Sequence, residues 1–370
     1  MTVKILCLHQ GSELYGSDRS FLSAVEALAR HVATHSIVPS PGDLAPLLER
    51  SGSTVSYYPF GVLRKKSFRR PLRYLWEMLS AVKHYYLSYK MHDIVYINTT
   101  VMFSALLSAS LYRGTKKTFF CHVREIPGSK SIFIFKALLR LSGAKLIFNS
   151  QATKNAFNLK GDVIYNGVEE ISSPSMVSQA AQKTKILLIG RINTWKGQAF
   201  FLDSLSSLAP EHLSNLDVRI VGSAFEGYEY LETELCQRVK GSELNGIVSL
   251  IPFSADPTEH YTWADYVVVP SIKPEPFGRV AIEAFSMGLP VIAAGHGGLV
   301  EIVCQDKNGF VFEPNSSTAL SQVLKNLPSP SSCDYRELSV DALKTYRAKF
   351  SLTQYAENIA KTVLGRTNKD

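Results

Sequence analysis

Pro270-Ser-Ile-Lys-Pro-Glu-Pro-Phe-Gly-Arg-Val-Ala-Ile-Glu-Ala-Phe-Ser-Met-Gly-Leu-Pro-Val-Ile-Ala-Ala-Gly-His-Gly-Gly-Leu-Val300, with Glu301 next, is the stretch that decides how this chain is read. The apolar run Tyr266 to Val269 just before it predicts a buried strand. Pro270, Pro274 and Pro276 then forbid regular structure. From Arg279 to Met287 the pattern is helical, with Val280, Ile282, Ala284 and Phe285 supplying apolar surface. A second short strand follows from Pro290 to Ala294 and ends in Gly295, Gly297 and Gly298. Glu275 therefore falls in a loop beyond a strand's carboxyl end, and Glu283 inside the helix that follows. The junction at Phe277-Gly278 offers backbone N–H groups and the positive end of a helix dipole, which together suit phosphate. Two carboxylates flanking an anion site suit a ligand with hydroxyls on both sides of a diphosphate. A nucleotide sugar fits that description.

Length and composition set the frame around this segment. A chain of 370 residues is long for a single core, so two domains are expected. An apolar share of 45% with 19% charged residues describes a globular protein and excludes a disordered one. Five cysteines (Cys7, Cys121, Cys236, Cys304, Cys333) are scattered and form no metal or redox pair, so a reducing compartment and no zinc site are expected. The first nine residues read as a strand, too quickly polar for a signal peptide. The longest apolar stretches, 101–112 and 131–135, fall short of the ~18 residues that span a bilayer. The expectation is a cytoplasmic protein, peripheral on the membrane.

The net charge of +8 is unevenly placed. Residues 1–168 carry 22 Lys+Arg against 9 Asp+Glu, whereas 169–370 carry 18 against 23. The densest basic run begins Leu63-Arg-Lys-Lys-Ser-Phe-Arg-Arg-Pro-Leu-Arg-Tyr-Leu-Trp76, and Tyr74, Trp76, Tyr85, Tyr86 and Tyr89 interleave with the cations. Such a segment suits an anionic membrane interface or nucleic acid. A solvated helical face whose aromatics pack on a sheet would look the same. The expectation adopted is the inner membrane surface and no nucleic acid.

Strand and helix patterns alternate along both halves, which implies parallel sheets covered on both faces. In the first half strands are expected at 3–8, 36–38, 55–58, 94–98, 118–122, 145–149 and 162–165. Helices are expected at 19–33 and 44–50, with a long amphipathic stretch at 71–90. The polar run after Asn166-Gly167 reads as a linker. A second series starts at Lys185 and places strands at 185–190, 216–221, 247–251, 266–269, 290–294 and 310–312. The domains expected are 1–168 with the last helix near 350–370, a linker at 169–184, and 185–349. In doubly wound domains ligands gather at the carboxyl ends of the strands, and every motif described here falls at such an end.

The motifs also carry a family resemblance. Glu275 and Glu283, with seven residues between them including Pro276-Phe277-Gly278, are followed by Gly288-Leu-Pro-Val and by Gly297-Gly-x-x-Glu301. This arrangement resembles the signature of the retaining glycosyltransferases of family 4, which have the GT-B fold. The resemblance implies two Rossmann-like domains facing a cleft, with the last helix crossing back to the first. It implies transfer of a sugar from a nucleoside-diphosphate donor to a hydroxyl of a lipid-linked glycan, in cell-surface polysaccharide or lipopolysaccharide synthesis. The donor is a substrate, and no cofactor and no metal are expected. Gly190-Arg-Ile-Asn-Thr-Trp-Lys-Gly197 resembles the family's Gly-Arg…Lys-Gly motif, so Arg191 and Lys196 are expected to hold the diphosphate and stabilise the leaving group. Glu275 is expected on the sugar hydroxyls, the N–H groups of Phe277 and Gly278 on phosphate, and Glu283 on the ribose. Glu301 is open between a ligand role and shaping of the glycine turn, and His296 reads as an incidental loop histidine.

The first half departs from the family in two places. Relatives carry Gly-Gly-x-Glu after the first strand, where this chain has Gly16-Ser-Asp-Arg19, leaving Gly16 as the expected donor-side glycine and Ser17 as a weaker one. Relatives show His-Glu or His-Asp where this chain has His122-Val-Arg-Glu125. Strand alternation puts His122 and Arg124 on one side, so His122 is the expected catalytic contact with Arg124 as the alternative. Asn98 and Asn149-Ser150 end strands and read equally as acceptor contacts or helix caps. A nucleotide-sugar epimerase and a non-catalytic basic scaffold of the same fold are the competing readings. A dinucleotide-dependent dehydrogenase is disfavoured, since no Gly-x-Gly-x-x-Gly follows either domain's first strand.

Overall fold

In a computed structural model, residues 3–63, 71–171, 183–225 and 227–365 are described. The basic run 64–70 and most of the expected linker, 172–182, lie outside the described residues. The chain divides into two compact units, Met1–Gly167 with Leu352–Asp370, and Val168–Ser351.

The first unit runs β1 (Lys4–Leu8), α1 (Gly16–Ala29), β2 (Ala33–Val38), α2 (Leu44–Arg50), β3 (Thr54–Tyr57), α3 (Pro71–Lys90), β4 (Ile94–Asn98) and α4 (Phe103–Ser110). It continues with β5 (Thr118–Val123), α5 (Ser129–Ser142), β6 (Lys145–Phe148), α6 (Gln151–Phe157) and β7 (Asp162–Val163). The strands pair in the order β3-β2-β1-β4-β5-β6-β7, and every pair is parallel. Winding therefore reverses between β1 and β4, the place where such sheets bind ligands. Because side chains alternate along a strand, the two faces fill separately. Leu6, Leu8, Val95 and Ile97 pack beneath α3, α4 and α5, while Ile5, Cys7, Tyr96 and Phe120 pack beneath α1 and α2.

The second unit contains β8 (Thr184–Ile189), α7 (Gln198–Ser206), α8 (Pro210–Leu213), β9 (Leu216–Val221), α9 (Tyr230–Lys240), β10 (Val248–Ile251) and α10 (Thr258–Trp263). After these come β11 (Tyr266–Val269), α11 (Arg279–Ser286), β12 (Val291–Ala294), α12 (Leu299–Ile302), β13 (Gly309–Phe312), α13 (Ser317–Lys325) and α14 (Cys333–Lys349). Its sheet, β10-β9-β8-β11-β12-β13, is also parallel and reverses between β8 and β11. The final helix, α15 (Leu352–Leu364), belongs to the first unit and packs on α1. Tyr355, Ile359 and Val363 enter the core beside Phe21 and Leu28. Burial of Ile359 and Val363 alone is worth about 3–6 kcal/mol, enough to fix this return of the chain.

The largest boundary difference from expectation is at the first helix. The helix expected at 19–33 runs from Gly16 to Ala29, and Ala33 opens β2. The N–H groups of His31 and Val32 both turn back to the carbonyl of Leu28, and Ala33 takes its place opposite Lys4. Pairing with the central strand overrides the helical pattern there.

Candidate functional site

At the reversal point of the second sheet, two loops meet. The loop after β8 ends at Gly197, whose φ is +84°. A Cβ there would fall 1.9 Å from the carbonyl oxygen of Pro270, so only glycine lets the 190–197 loop lie on the end of β11. Asn193 shapes the same loop by accepting from the N–H groups of Trp195 and Lys196 at 3.0 and 2.9 Å. This presents the Lys196 ammonium to Glu275, with Nζ 2.7 Å from Oε1. Ser271 donates its hydroxyl to the same carboxylate oxygen. His296 Nε2 lies 2.7 Å from the carbonyl oxygen of Ser271, so this histidine braces the loop and is not incidental.

Glu275 is buried, and burial alone would raise its carboxyl. The charge and hydrogen bond of Lys196, the Ser271 hydroxyl and the neighbouring His296 outweigh that effect and hold it below the usual carboxylate range. It is an ionised carboxylate in a shielded place. The backbone behind it is fixed by the 297–298 glycines. Gly297 has φ +65°, and a Cβ there would lie 2.4 Å from the carbonyl oxygen of Glu275. The N–H of Gly298 donates to that same oxygen at 2.7 Å.

Arg191 and Glu283 complete the set. The Arg191 guanidinium lies over the Phe225 ring at 3.3 Å, a contact that fixes its plane. Phe277 is buried, and Gly278, at φ +122°, turns the chain into α11. Glu283, on the first turns of α11, accepts from Arg279 Nε at 2.8 Å and from the Tyr261 hydroxyl at 2.9 Å. A carboxylate has about four acceptor positions, so these two partners orient Glu283 without exhausting it. Glu301 sits on the four-residue helix α12 beyond the glycine turn.

In the first unit a buried polar chain occupies the reversal point between β1 and β4. Arg124, past the end of β5, donates from Nε to Asn98 Oδ1 at 2.6 Å, from Nη1 to Asn166 Oδ1, and from Nη2 to the Tyr355 hydroxyl at 3.0 Å. A guanidinium can only donate, so Asn98 must face it with its oxygen. The Asn98 amide nitrogen then donates to His9 Nδ1 at 2.8 Å, which leaves the proton on His9 Nε2, 2.6 Å from Asp18 Oδ1. Burial lowers the pKa of His9 despite Asp18, in keeping with a neutral ring. Asp18 Oδ2 accepts from the Tyr15 N–H at 2.9 Å, so one carboxylate ties both ends of the 10–15 loop. Gly11 is required by the same contact, because its Cβ would lie 2.4 Å from Asp18 Oδ1.

His122 is wholly buried in this network. Its Nδ1 faces the Tyr96 hydroxyl at 2.6 Å and Arg124 Nη2 at 3.2 Å. Nε2 is buried with no hydrogen-bond partner among the described residues. Burial first, and the Arg124 charge second, push its pKa well below the ordinary histidine value, so it is neutral. Gly16 opens α1 and is exposed, and the anion at that helix start is the chain's own Asp18. Asn149-Ser150 is a helix cap: Ser150 Oγ accepts from the Thr153 N–H at 2.9 Å. Thr99, directly after Asn98, has φ +84°, a costly conformation for a β-branched residue and of the kind that collects at working sites.

Sequence reading placed Arg191, Lys196, Glu275, Phe277 and Gly278 in the loops after β8 and β11 and Glu283 inside α11, where the structure has them; it read His296 as incidental and missed Ser271 and Tyr261. It named His122 and Arg124 but missed their connection through Asn98 to His9 and Asp18. The only available signal was the acidic residue three positions beyond Tyr15, which has the spacing of a capping box.

Two parallel sheets of this winding, each with polar residues gathered at its reversal point, define a protein of the GT-B class. Residues 176–333 match the family model of the glycosyl transferases group 1. The chain is similar to an uncharacterized glycosyltransferase of Methanocaldococcus jannaschii, 28% identical over 254 residues that cover 63% of this chain and 62% of that protein. It is also similar to the mannosylfructose-phosphate synthase of Agrobacterium fabrum, 30% identical over 186 residues that cover 49% of this chain and 40% of that protein. The alignments thus span less than two thirds of these relatives' length. Among solved structures, Anabaena HepE in complex with UDP and glucose superposes with a TM-score of 0.80 at 24% identity, over 98% of this chain and 100% of that one. WaaG, a glycosyltransferase involved in lipopolysaccharide biosynthesis, gives 0.69 at 16% identity, over 98% and 100%. The match to the group 1 glycosyl transferases thus covers residues 176–333, and the likeness to the solved structures shows a GT-B fold.

Proposed function

We propose that the protein transfers a sugar from a nucleoside-diphosphate donor to a hydroxyl group, with retention at the anomeric carbon and without a metal. The Lys196–Glu275 ion pair at the second sheet's reversal point carries this reading. An ammonium has three donors, so Lys196 can keep Glu275 and still reach a diphosphate. Arg191 would be the second cation on that diphosphate, and the two together supply the charge that a metal otherwise brings to a leaving group. The N–H groups of Phe277 and Gly278 would receive a phosphate at the head of α11, and Glu283 the ribose hydroxyls. Glu275, kept ionised, would bind sugar hydroxyls and stabilise positive charge growing on the ring. The departing diphosphate would take the acceptor's proton. His122, buried and neutral, would position Arg124 and Tyr96. The first unit would bind the acceptor and the second the donor. HepE was solved with UDP-glucose, which makes UDP-sugars the first donors to try. A thermal-shift screen of nucleotide sugars and free nucleotides tests the reading, because a bound donor stabilises the folded state by mass action. A shift selective for one base supports it, and no shift with any member of a full set contradicts it.

The acceptor we propose is a lipid-linked glycan met at the inner membrane surface, as surface-polysaccharide synthesis requires. The outward side of α3 favours this: Leu72, Leu75, Trp76 and Leu79 recur at helical spacing and are 83, 57, 64 and 60% exposed. An apolar stripe on a helix's solvent side, in a unit rich in cations, suits an anionic interface. No helix among the described residues is long and apolar enough to cross a membrane.

A further inference from the structure

Glu283 is gripped from two sides. The Tyr261 hydroxyl, on a side chain wholly buried beneath α10, donates to Oε2 at 2.9 Å. Arg279 Nε donates to Oε1 at 2.8 Å. Tyr261 stands 22 residues ahead in the chain, so its bond is tertiary and ties the carboxylate of one helix to the helix before it. Each carboxylate oxygen has about two acceptor positions. One position therefore stays open on each oxygen, and the two open positions lie side by side.

Local energetics do not select Arg279 for this place. It is the first residue of α11, where the helix dipole favours an anion and disfavours a cation. Its pairing with Glu283 also runs in the weaker order, because an acid four residues ahead of a base supports a helix better than the reverse. Its Nη1 is buried with no hydrogen-bond partner among the described residues, and an unmet buried donor is costly. A residue that works against its own helix in three ways while fixing one carboxylate has the mark of a functional position.

We propose that Tyr261 and Arg279 are positioning residues that make the donor site select ribose over 2′-deoxyribose. They hold Glu283 with its two open acceptors matched to the vicinal 2′ and 3′ hydroxyls of a ribonucleoside. The inference rests on the assignment of Glu283 to the ribose. A ribose supplies two adjacent O–H donors, and a 2′-deoxyribose supplies one. Against a fixed carboxylate the deoxy form leaves an acceptor unmet, which is how a site built for a hydroxyl rejects a ligand that lacks it. A carboxylate free to turn would recover that acceptor in water and discriminate less.

The test compares ratios of affinity in the full chain. UDP, GDP, ADP and CDP are each titrated by calorimetry beside their 2′-deoxy forms. The wild type is expected to bind a ribonucleotide about tenfold or more tighter than its deoxy form. Tyr261→Phe, which removes a single oxygen, and Arg279→Met should each cut that ratio to about threefold or less. In Tyr261→Phe the loss should fall on the ribonucleotide, with the deoxy form bound as before. Glu283→Gln should lower the ratio as far, and adding Tyr261→Phe to it should lower the ratio no further, since the tyrosine acts through that carboxylate. A ratio of wild-type size in either variant, whatever happens to overall affinity, is the sign of a purely structural role and overturns the proposal. Equal wild-type affinity for both forms overturns it together with the ribose assignment of Glu283, and leaves the diphosphate contacts of Lys196 standing. A wild type that binds none of the nucleotides contradicts the donor reading itself.

Discussion

Lys196 and Glu275 are 2.7 Å apart, and their loops leave the two strands, β8 and β11, between which the second sheet reverses its winding. Neither side chain is much exposed, at 29 and 10%, so the pair is shielded enough for its charges to matter and open enough for a ligand to reach the ammonium. Removal of one partner leaves the other's charge poorly solvated, which is the costly case for an ion pair.

Lys196→Met should therefore lower stability at pH 7 by about 1–3 kcal/mol. The folded-state pKa of Glu275 is depressed, so its contribution is present above the unfolded carboxyl range and is lost as pH falls through the folded value. The gap between wild type and Lys196→Met should shrink in acid, because protonated Glu275 no longer needs the cation. Urea unfolding of both proteins at pH 7 and pH 4 measures this. A gap of equal size at both values would show that the pair contributes nothing through charge.

Gly297→Ala should cost about 1–3 kcal/mol, since the residue would be held at a left-handed φ with its methyl against the Glu275 carbonyl. The displaced carbonyl also carries the Gly298 hydrogen bond, so nucleotide binding should weaken with it. Thermal unfolding and nucleotide titration check both effects. Wild-type behaviour in each would mean that the loop is not braced as described.

Arg124→Met should destabilise the first unit by about 3–5 kcal/mol, because Asn98, Asn166 and Tyr355 each lose a buried donor. Tyr355→Phe removes one end of the same network, and the double variant should fall short of the sum by about 0.5 kcal/mol or more. Strict additivity would separate α15 from the network.

Parallel sheets covered on both faces and the position of nearly every strand could be read from the sequence, because alternating apolar runs and helical patterns are local signals, whereas the two-domain GT-B architecture came from the motifs' resemblance. The error at α1 was tertiary: only pairing with Lys4 shows that Ala33 is a strand residue. Lys196 and Glu275 were legible as members of motifs, but their contact spans residues 79 apart in the chain. The Asp18–His9–Asn98–Arg124 chain was not legible as a unit, since its residues come from four segments that only the sheet brings together. His122 illustrates the limit in the other direction, for alternation fixes the side of a strand but not whether that side meets solvent.

On the outward face of α3, Trp76→Ser with Leu79→Ser should weaken co-sedimentation with anionic vesicles several-fold, while transfer to a short water-soluble acceptor is retained. Both side chains are exposed, so folding should be unaffected. Unchanged co-sedimentation would remove this face from any membrane contact.

The most direct measurement is turnover of the Glu275→Gln protein with a nucleotide sugar that the wild type binds. The account predicts a loss of about a hundredfold in release of nucleoside diphosphate, or ~3 kcal/mol of transition-state stabilisation, with nucleotide affinity largely kept. Wild-type turnover in that variant would contradict it.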